Sequence, residues 1–125
     1  MLTRDGIPVI IHDDTLERTT SGRGAVADSD LADLRRLDAG SWFDPRFAGE
    51  TVPTLAELLA LVAALGLGLN LEIKPSAGRN AETAAAALAV LGAARPPRDR
   101  LLLSSFEPEC LEVAQRLAPD RKSVV

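Results

Sequence analysis

The alternation of helix and strand patterns over residues 53–117 constrains the fold of this chain more than any other feature of its sequence. Helical spacing of aliphatic residues alternates with short apolar runs, in the order helix 54–65, strand 69–74, helix 80–91, strand 101–104 and a last helix that opens with Pro108. Short connections join these segments, as in βαβ units. The sequence therefore predicts an α/β protein with a parallel sheet. The pattern alone fits an open sheet and a closed barrel equally well.

The ends of these helices carry recognisable signals. Thr54 and Glu57 have the spacing of a capping box, in which each residue satisfies a backbone N–H of the other. Gly66 is placed to end the first long helix in a left-handed conformation, and Gly92 is expected to end the second. The last helix is expected to turn one face inward, consisting of Leu111, Ala114 and Leu117.

Less regular structure is predicted for the first 51 residues. A β-branched run at residues 7–12 follows an Asp5-Gly6 turn and is predicted to form a strand. Residues 13–51 read as a long irregular region, interrupted by one short helix at residues 29–37. Three of the four aromatic residues, Trp42, Phe43 and Phe47, fall in this region. They either line a pocket or hold the loop in place, and the second role is the more common one.

The strand at residues 69–74 has one apolar and one polar face. Asn70, Glu72 and Lys74 alternate with aliphatic residues, so their side chains share one face. Strands of an open parallel sheet are usually buried on both faces, and a polar row is therefore out of place there. In a closed (β/α) barrel the row would face inward and reach the end of the barrel that carries functional sites. An edge strand with a solvated face, or a simple ion pair between Glu72 and Lys74, is the alternative interpretation.

His12 is the only histidine, and it stands at the end of the first predicted strand, directly before Asp13 and Asp14. An imidazole titrates near neutral pH, and a neighbouring carboxylate fixes which ring nitrogen carries the proton. His12 is thus a candidate general acid or base. A structural or surface role is the alternative for a lone histidine at a strand end.

Composition excludes several classes of protein. The 125 residues carry a net charge of −4, and the basic residues are scattered, which argues against nucleic acid as a partner. No segment approaches the roughly 20 apolar residues of a membrane helix, and no signal segment opens the chain, so a cytoplasmic location is expected. The single cysteine, Cys110, allows no internal disulfide and is expected to be a small core residue.

A family resemblance emerges from the order and spacing of five motifs. Together they resemble the glycerophosphodiester phosphodiesterase family over roughly residues 2–118, and in sequence order they are LTRDGIPVIIHD (2–13), LERTT (16–20), PTLAELL (53–59), LEIK (71–74) and SSF (104–106). The resemblance implies a TIM-type barrel, of which this chain would supply roughly half. It also implies that residues 13–51 correspond to the family's insertion after the histidine-bearing segment.

The resemblance further implies a chemistry and a role for three residues. The family hydrolyses glycerophosphodiesters to glycerol 3-phosphate and an alcohol, with a divalent cation, Ca²⁺ or Mg²⁺, and two histidines as acid and base. His12 matches the second of these histidines, Glu72 the metal-binding glutamate, and Lys74 the lysine that holds the phosphate. A hard dication favours carboxylate oxygens, which agrees with the role of Glu72.

Two family motifs have no counterpart here, namely an N-terminal His-Arg pair and a Glu-x-Asp before the Thr3 turn. The resemblance therefore implies a partial domain, cut at both ends, because a complete barrel takes about 250 residues. We expect such a chain to be poorly active alone and to self-associate through exposed sheet edges. The alternative function is a non-catalytic half-barrel that serves as a binding or structural module.

Overall fold

The structure is a computed structural model. It describes residues 1–120 and, by backbone alone, residues 123–124. The chain divides into two compact units, Met1–Thr54 and Leu55–Val125. The helices are α1 (Leu31–Leu34), α2 (Leu55–Ala64), α3 (Asn80–Ala94) and α4 (Pro108–Leu117), and the strands are β1 (Leu69–Glu72), β2 (Leu101–Ser104) and β3 (Ser123–Val124). Short 3₁₀ turns lie at Val26–Asp28, Pro45–Phe47 and Arg98–Arg100.

The second unit is built on a parallel sheet in the order β1-β2-β3. Leu69 of β1 is in register with Leu101 of β2, and Glu72 with Ser104. α3 connects β1 to β2, and α4 connects β2 to β3. The predicted βαβ order is therefore confirmed, and β1 ends two residues earlier than the sequence pattern suggested.

The end of α2 follows the predicted glycine signal. Gly66 has a φ of +65°. Its N–H donates to the Ala63 carbonyl at 3.2 Å, and the Leu67 N–H donates to the Val62 carbonyl at 3.0 Å. This pair of hydrogen bonds is the Schellman arrangement, which satisfies carbonyls that the end of the helix leaves without partners.

The end of α3 differs from the prediction. The helix runs through Gly92 to Ala94 and ends at Arg95, which adopts a left-handed φ of 48°. Pro96 follows, and the residue before a proline is disfavoured in the helical region. The prediction that Gly92 ends the helix is therefore wrong, because the proline, rather than the glycine, decides where the helix ends.

α3 and α4 pack against each other in the second unit. The buried face of α3 is made mostly of small residues and consists of Thr83, Ala84, Ala87, Leu88 and Leu91. On α4, Leu111 and Ala114 are buried as predicted, whereas Leu117 is 55% exposed because it is the last residue of the helix. Cys110 is buried, as expected of a small core residue, and burial raises the pKa of its thiol.

The first unit holds its extended segment through isolated bridges. The strand predicted at residues 7–12 is not formed as a continuous ladder. Instead, Pro8 pairs with Leu2, and Val9 pairs with Thr54. The Val9 N–H also donates to the Met1 carbonyl at 2.9 Å. Each bridge joins a single pair of residues, which is too short for a regular strand.

An aliphatic cluster forms the core of the first unit, and its buried members are Met1, Val9, Leu16, Val26, Leu34 and Val52. The helix predicted at residues 29–37 is shorter than expected, since α1 spans four residues, Leu31–Leu34. The rest of residues 13–51 is largely irregular, as the sequence indicated. Among the described residues, no helix has the length and apolar character needed to cross a bilayer.

Two glycines allow a matched test of these helix ends. We expect Gly66→Ala to lower the free energy of unfolding by about 1–2 kcal/mol, since an alanine is strained at positive φ. Steric clash is not the cause, because the nearest atom to an added Cβ, on Arg100, would be 3.6 Å away. Gly92→Ala, inside α3 and with open space around it, should raise stability by about 0.5–1 kcal/mol. Urea denaturation followed by circular dichroism measures both, and equal effects would contradict this assignment.

Candidate active site

His12 follows directly on the extended segment of the first unit. The Ile10 N–H donates to the Pro53 carbonyl at 2.9 Å, and this contact fixes the backbone two residues before the histidine. The imidazole is exposed, with 71% of its side chain accessible. The first unit therefore presents His12 at its surface on a backbone held by hydrogen bonds.

The Asp13 carboxylate lies between the His12 ring and the Arg18 guanidinium. His12 Nδ1 is 2.8 Å from Asp13 Oδ1. Arg18 donates to both carboxylate oxygens, from Nε to Oδ2 at 2.5 Å and from a terminal nitrogen to Oδ1 at 2.8 Å. The Arg18 fork, and secondly the His12 ring, hold the pKa of the Asp13 carboxyl far below its ordinary value.

An open cleft in the first unit lies beside this cluster. Its lining includes His12, Arg18, Thr19 and Trp42, together with the apolar side chains of Ile11 and Val52. The cleft thus combines a titratable ring and a guanidinium with apolar walls. Such a combination is typical of sites for small polar ligands.

Asp38 organises the loop that carries Trp42. Its carboxylate accepts backbone N–H groups of Gly40, Ser41 and Gly49 at 2.8–2.9 Å and the Ser41 hydroxyl at 2.7 Å. These donors, the Ser41 N–H foremost, hold the pKa of Asp38 far below its ordinary value. Gly40 is required there, because a Cβ at this position would collide with the Phe47 carbonyl.

The three loop aromatics contact one another and remain accessible. Trp42 and Phe43 meet edge to face, with ring centroids 5.7 Å apart, and Phe43 lies 5.9 Å from Phe47. Trp42 is 52% exposed and Phe43 71% exposed. Trp42 therefore lines the cleft, and the Asp38 carboxylate holds the loop together with the contacts among the aromatic rings.

In the second unit, Glu72 and Lys74 lie at the carboxyl end of β1. The predicted alternation is confirmed, since Leu71 and Ile73 are buried while Asn70 and Glu72 are exposed. Lys74 follows the strand and is half-buried. Within this unit β1 is the outer strand of the described sheet, so the edge-strand interpretation of its polar face stays open.

Ser104 and Ser105 extend the site to the neighbouring strand. The Ser104 hydroxyl donates to Asn70 Oδ1 at 3.1 Å, so the polar face is two strands wide. The buried Ser105 hydroxyl donates to the Ile73 carbonyl at 2.6 Å, and the Ile73 N–H donates to the Ser104 carbonyl at 2.7 Å. The carboxyl ends of β1 and β2 are thereby joined directly beside Glu72.

The structure therefore distributes the predicted residues between the two units. His12 belongs to the first unit, whereas Glu72 and Lys74 lie together at one strand end of the second. Assignment of roles from the sequence missed Arg18 and Ser104. The signal for Arg18 was its place in the LERTT motif, five residues after Asp13, and the signal for Ser104 was a hydroxyl at the end of an apolar strand.

The carboxylates of the described residues do not by themselves form a divalent-cation site. Over residues 1–120, no group of three or more histidine, cysteine, aspartate or glutamate side chains is placed to hold a metal. Ca²⁺ takes six to eight oxygen ligands, and Glu72 supplies at most two of them. The donor set on these residues therefore does not fit a complete cation site.

Comparison with known proteins identifies the class. Residues 1–125 match the model of the Glycerophosphoryl diester phosphodiesterase family. The glycerophosphodiester phosphodiesterase of Caldanaerobacter subterraneus is 48% identical over 73 residues, which are 58% of this chain and 30% of that protein. The enzyme of that name from Bacillus altitudinis is 34% identical over 119 residues, 94% of this chain and 48% of that protein.

Solved structures agree with the sequence matches. An Oleispira antarctica phosphodiesterase in complex with the product sn-glycerol-3-phosphate superposes with a TM-score of 0.94 at 47% identity, over 98% of this chain and 50% of that one. The glycerophosphodiester phosphodiesterase of Agrobacterium tumefaciens gives a TM-score of 0.85 at 30% identity, over all of this chain and 51% of that one. The chain spans no more than about half the length of these relatives.

The fold is that of roughly half of a TIM-type barrel, as the sequence predicted. The chain belongs to the glycerophosphoryl diester phosphodiesterase family.

The role of Asp38 gives a prediction about acid stability. A carboxyl whose pKa is lowered on folding adds stability above its unfolded value, near 3.8, and loses that contribution as the pH falls toward the folded value. We expect acidification to release the loop, and the fluorescence of Trp42, the only tryptophan, to report it. In Asp38→Asn the loop signal should already differ at neutral pH, and its change on acidification should be smaller.

Asp28→Asn is the matched control, because Asp28 is exposed and lies outside this loop. An acid profile of Asp38→Asn that coincides with those of the control and the parent chain would contradict the role of Asp38.

Proposed function

We propose that this chain takes part in the hydrolysis of glycerophosphodiesters to glycerol 3-phosphate and an alcohol. The observation that carries the proposal is the similarity of nearly the full chain to a phosphodiesterase whose structure is a complex with the product sn-glycerol-3-phosphate. The cleft beside His12 adds chemical support, since it brings a proton-transferring group and a guanidinium to one place.

The proposed reaction breaks the P–O bond to the leaving alcohol. A water oxygen gives up one proton and forms the new bond to phosphorus, the leaving alkoxide receives one proton, and the phosphate stays on the glycerol. His12 transfers a proton in this reaction through Nε2, because Nδ1 faces Asp13. Lys74 binds a phosphate oxygen through its ammonium group. A two-histidine mechanism needs a second histidine from outside these residues, since His12 is the only one in the sequence.

The role of Glu72 as one oxygen ligand of a divalent cation, Ca²⁺ or Mg²⁺, stays a prediction. Its exposure and its place at the carboxyl end of β1 support that role. Because the donor set of the described residues is incomplete, we assign no step of the reaction to the cation. For the same reason we expect low activity from the 125-residue chain alone.

Self-association also stays a prediction. β1 is the outer strand of the described sheet in the second unit, and an outer strand presents backbone groups that pair with another chain.

A chimera provides the direct test of the proposed function. We expect a protein in which this chain replaces the matching half of the Oleispira antarctica phosphodiesterase to release glycerol 3-phosphate from glycerophosphocholine. His12→Ala in the chimera should lower kcat by about 10²–10⁴-fold, the usual contribution of a general acid or base. Asp14→Ala, at an exposed neighbouring carboxylate, is the control and should retain activity.

A folded chimera that is inactive with both Ca²⁺ and Mg²⁺ would contradict the proposed function and favour the non-catalytic module. Parent-like rates in His12→Ala would contradict the role of the histidine.

Two further variants of the chimera separate the roles on β1. Glu72→Gln removes one negative charge and should raise the cation concentration needed for half-maximal activity by about tenfold or more. Lys74→Gln should raise KM for the phosphodiester and leave that cation requirement unchanged. Glu112→Gln, at an exposed glutamate on α4, is the matched control. If Glu72→Gln leaves the cation requirement unchanged, Glu72 is not a ligand.

A further inference from the structure

We propose that Arg18 is a positioning residue that acts through Asp13 to fix His12 in the Nδ1–H tautomer. The catalytic use of the His12 ring rests on the proposed function. The claim that Arg18 and Asp13 fix the tautomer of that ring does not depend on it. The position of Asp13 next to His12 in the sequence does not assign this role to Arg18. The LERTT motif that contains Arg18 does not assign it either.

The charge of the Asp13 carboxylate decides which nitrogen of the His12 ring carries the proton. Asp13 is ionised at neutral pH, so both of its oxygens accept hydrogen bonds and neither donates. Nδ1 of His12 is 2.8 Å from Oδ1, and a hydrogen bond at this distance requires that Nδ1 carries the proton. The neutral ring then keeps its lone pair on Nε2, where a base needs it.

The Arg18 guanidinium decides how the Asp13 carboxylate is oriented. A carboxylate next to a histidine in sequence has no intrinsic reason to point at its ring, because it can rotate about its own Cα–Cβ bond. The Arg18 fork occupies both oxygens of Asp13 and so fixes the plane of the carboxylate. A lysine keeps the charge but lacks the fork, so Arg18→Lys isolates this orienting effect.

Arg18 is itself held in place by its surroundings. The Arg18 side chain is 59% exposed, and an ion pair made by an exposed side chain adds little to stability. The contact with Asp13 therefore matters for orientation more than for stability. The Arg18 guanidinium lies 6.0 Å from the centroid of the Trp42 ring, which adds a cation–π contact on one side. Trp42 is held in turn, since its Nε1–H donates to the Ala39 carbonyl at 2.9 Å. The loop organised by Asp38 thus places a ring beside the arginine that orients Asp13.

The single histidine makes the test direct. The chain is labelled with ¹⁵N-histidine, and long-range ¹H–¹⁵N spectra are recorded in mildly alkaline buffer, where an imidazole is neutral. The ¹⁵N shifts of the two ring nitrogens report which one carries the proton. We expect the Nδ1–H form to predominate in the parent chain. In Arg18→Lys and Arg18→Met we expect the population to move toward the Nε2–H form that an unconstrained imidazole prefers.

The matched control is Arg4→Lys. Arg4 makes the same two-pronged contact in the same unit, with both oxygens of Asp30 at 2.9 and 2.6 Å, but lies outside the His12 cluster. Its substitution should leave the tautomer unchanged. Circular dichroism verifies that the variants fold, and Arg18→Lys decides the question if Arg18→Met does not fold. A parent ring already in the Nε2–H form, or the same tautomer in the parent and Arg18→Lys, would overturn the inference.

The chimera separates this inference from the proposed function. Arg18→Lys there should lower kcat by about 10–100-fold with KM unchanged, because it misplaces the proton-transferring nitrogen. A rise in KM alone would overturn the positioning role. An inactive parent chimera would contradict the proposed function, while the tautomer populations would still decide the role of Arg18.

Discussion

The parallel pairing of β1 with β2 is the constraint on which the second unit depends. Two parallel strands cannot be joined by a tight turn, so the chain has to leave the sheet and return, and α3 provides that path. The same pairing brings the carboxyl ends of both strands to one edge. Ser105 joins these ends through the Ile73 carbonyl, so the position of Glu72 follows from the register of the sheet.

The first unit solves a different problem, because it has little regular structure to hold its side chains. Two carboxylates accept hydrogen bonds that hold its loops where strand pairing is absent. Asp38 accepts from three backbone N–H groups and one hydroxyl and so orders a loop, and Asp13 accepts from a guanidinium and an imidazole. In both cases the donors keep the carboxylate charged, and the charge in turn strengthens each hydrogen bond.

The sequence was most informative where the structure depends on local signals. Helical spacing and the Gly66 stop predicted α2, and alternation predicted which residues of β1 are buried. Gly92 failed as a stop because Pro96, four residues later, dominates the end of α3. The strand predicted at residues 7–12 is not formed because its bridge partners, Leu2 and Thr54, come from separate parts of the chain and each pairs singly. Arg18 was missed for a different reason: it lies only five residues after Asp13, and the conformation of an irregular loop, which no periodicity predicts, brings its fork to that carboxylate.

The buried face of α3 has a consequence for how this fold tolerates change. Ala84 and Ala87 carry only a methyl group, so the backbone of α3 comes close to whatever packs on its buried face at these positions. A larger residue at either position would overpack the interior of the second unit. Enlargement at either alanine therefore has to be matched by a smaller residue among its buried neighbours, so residues that pack together in this unit are expected to vary in size together.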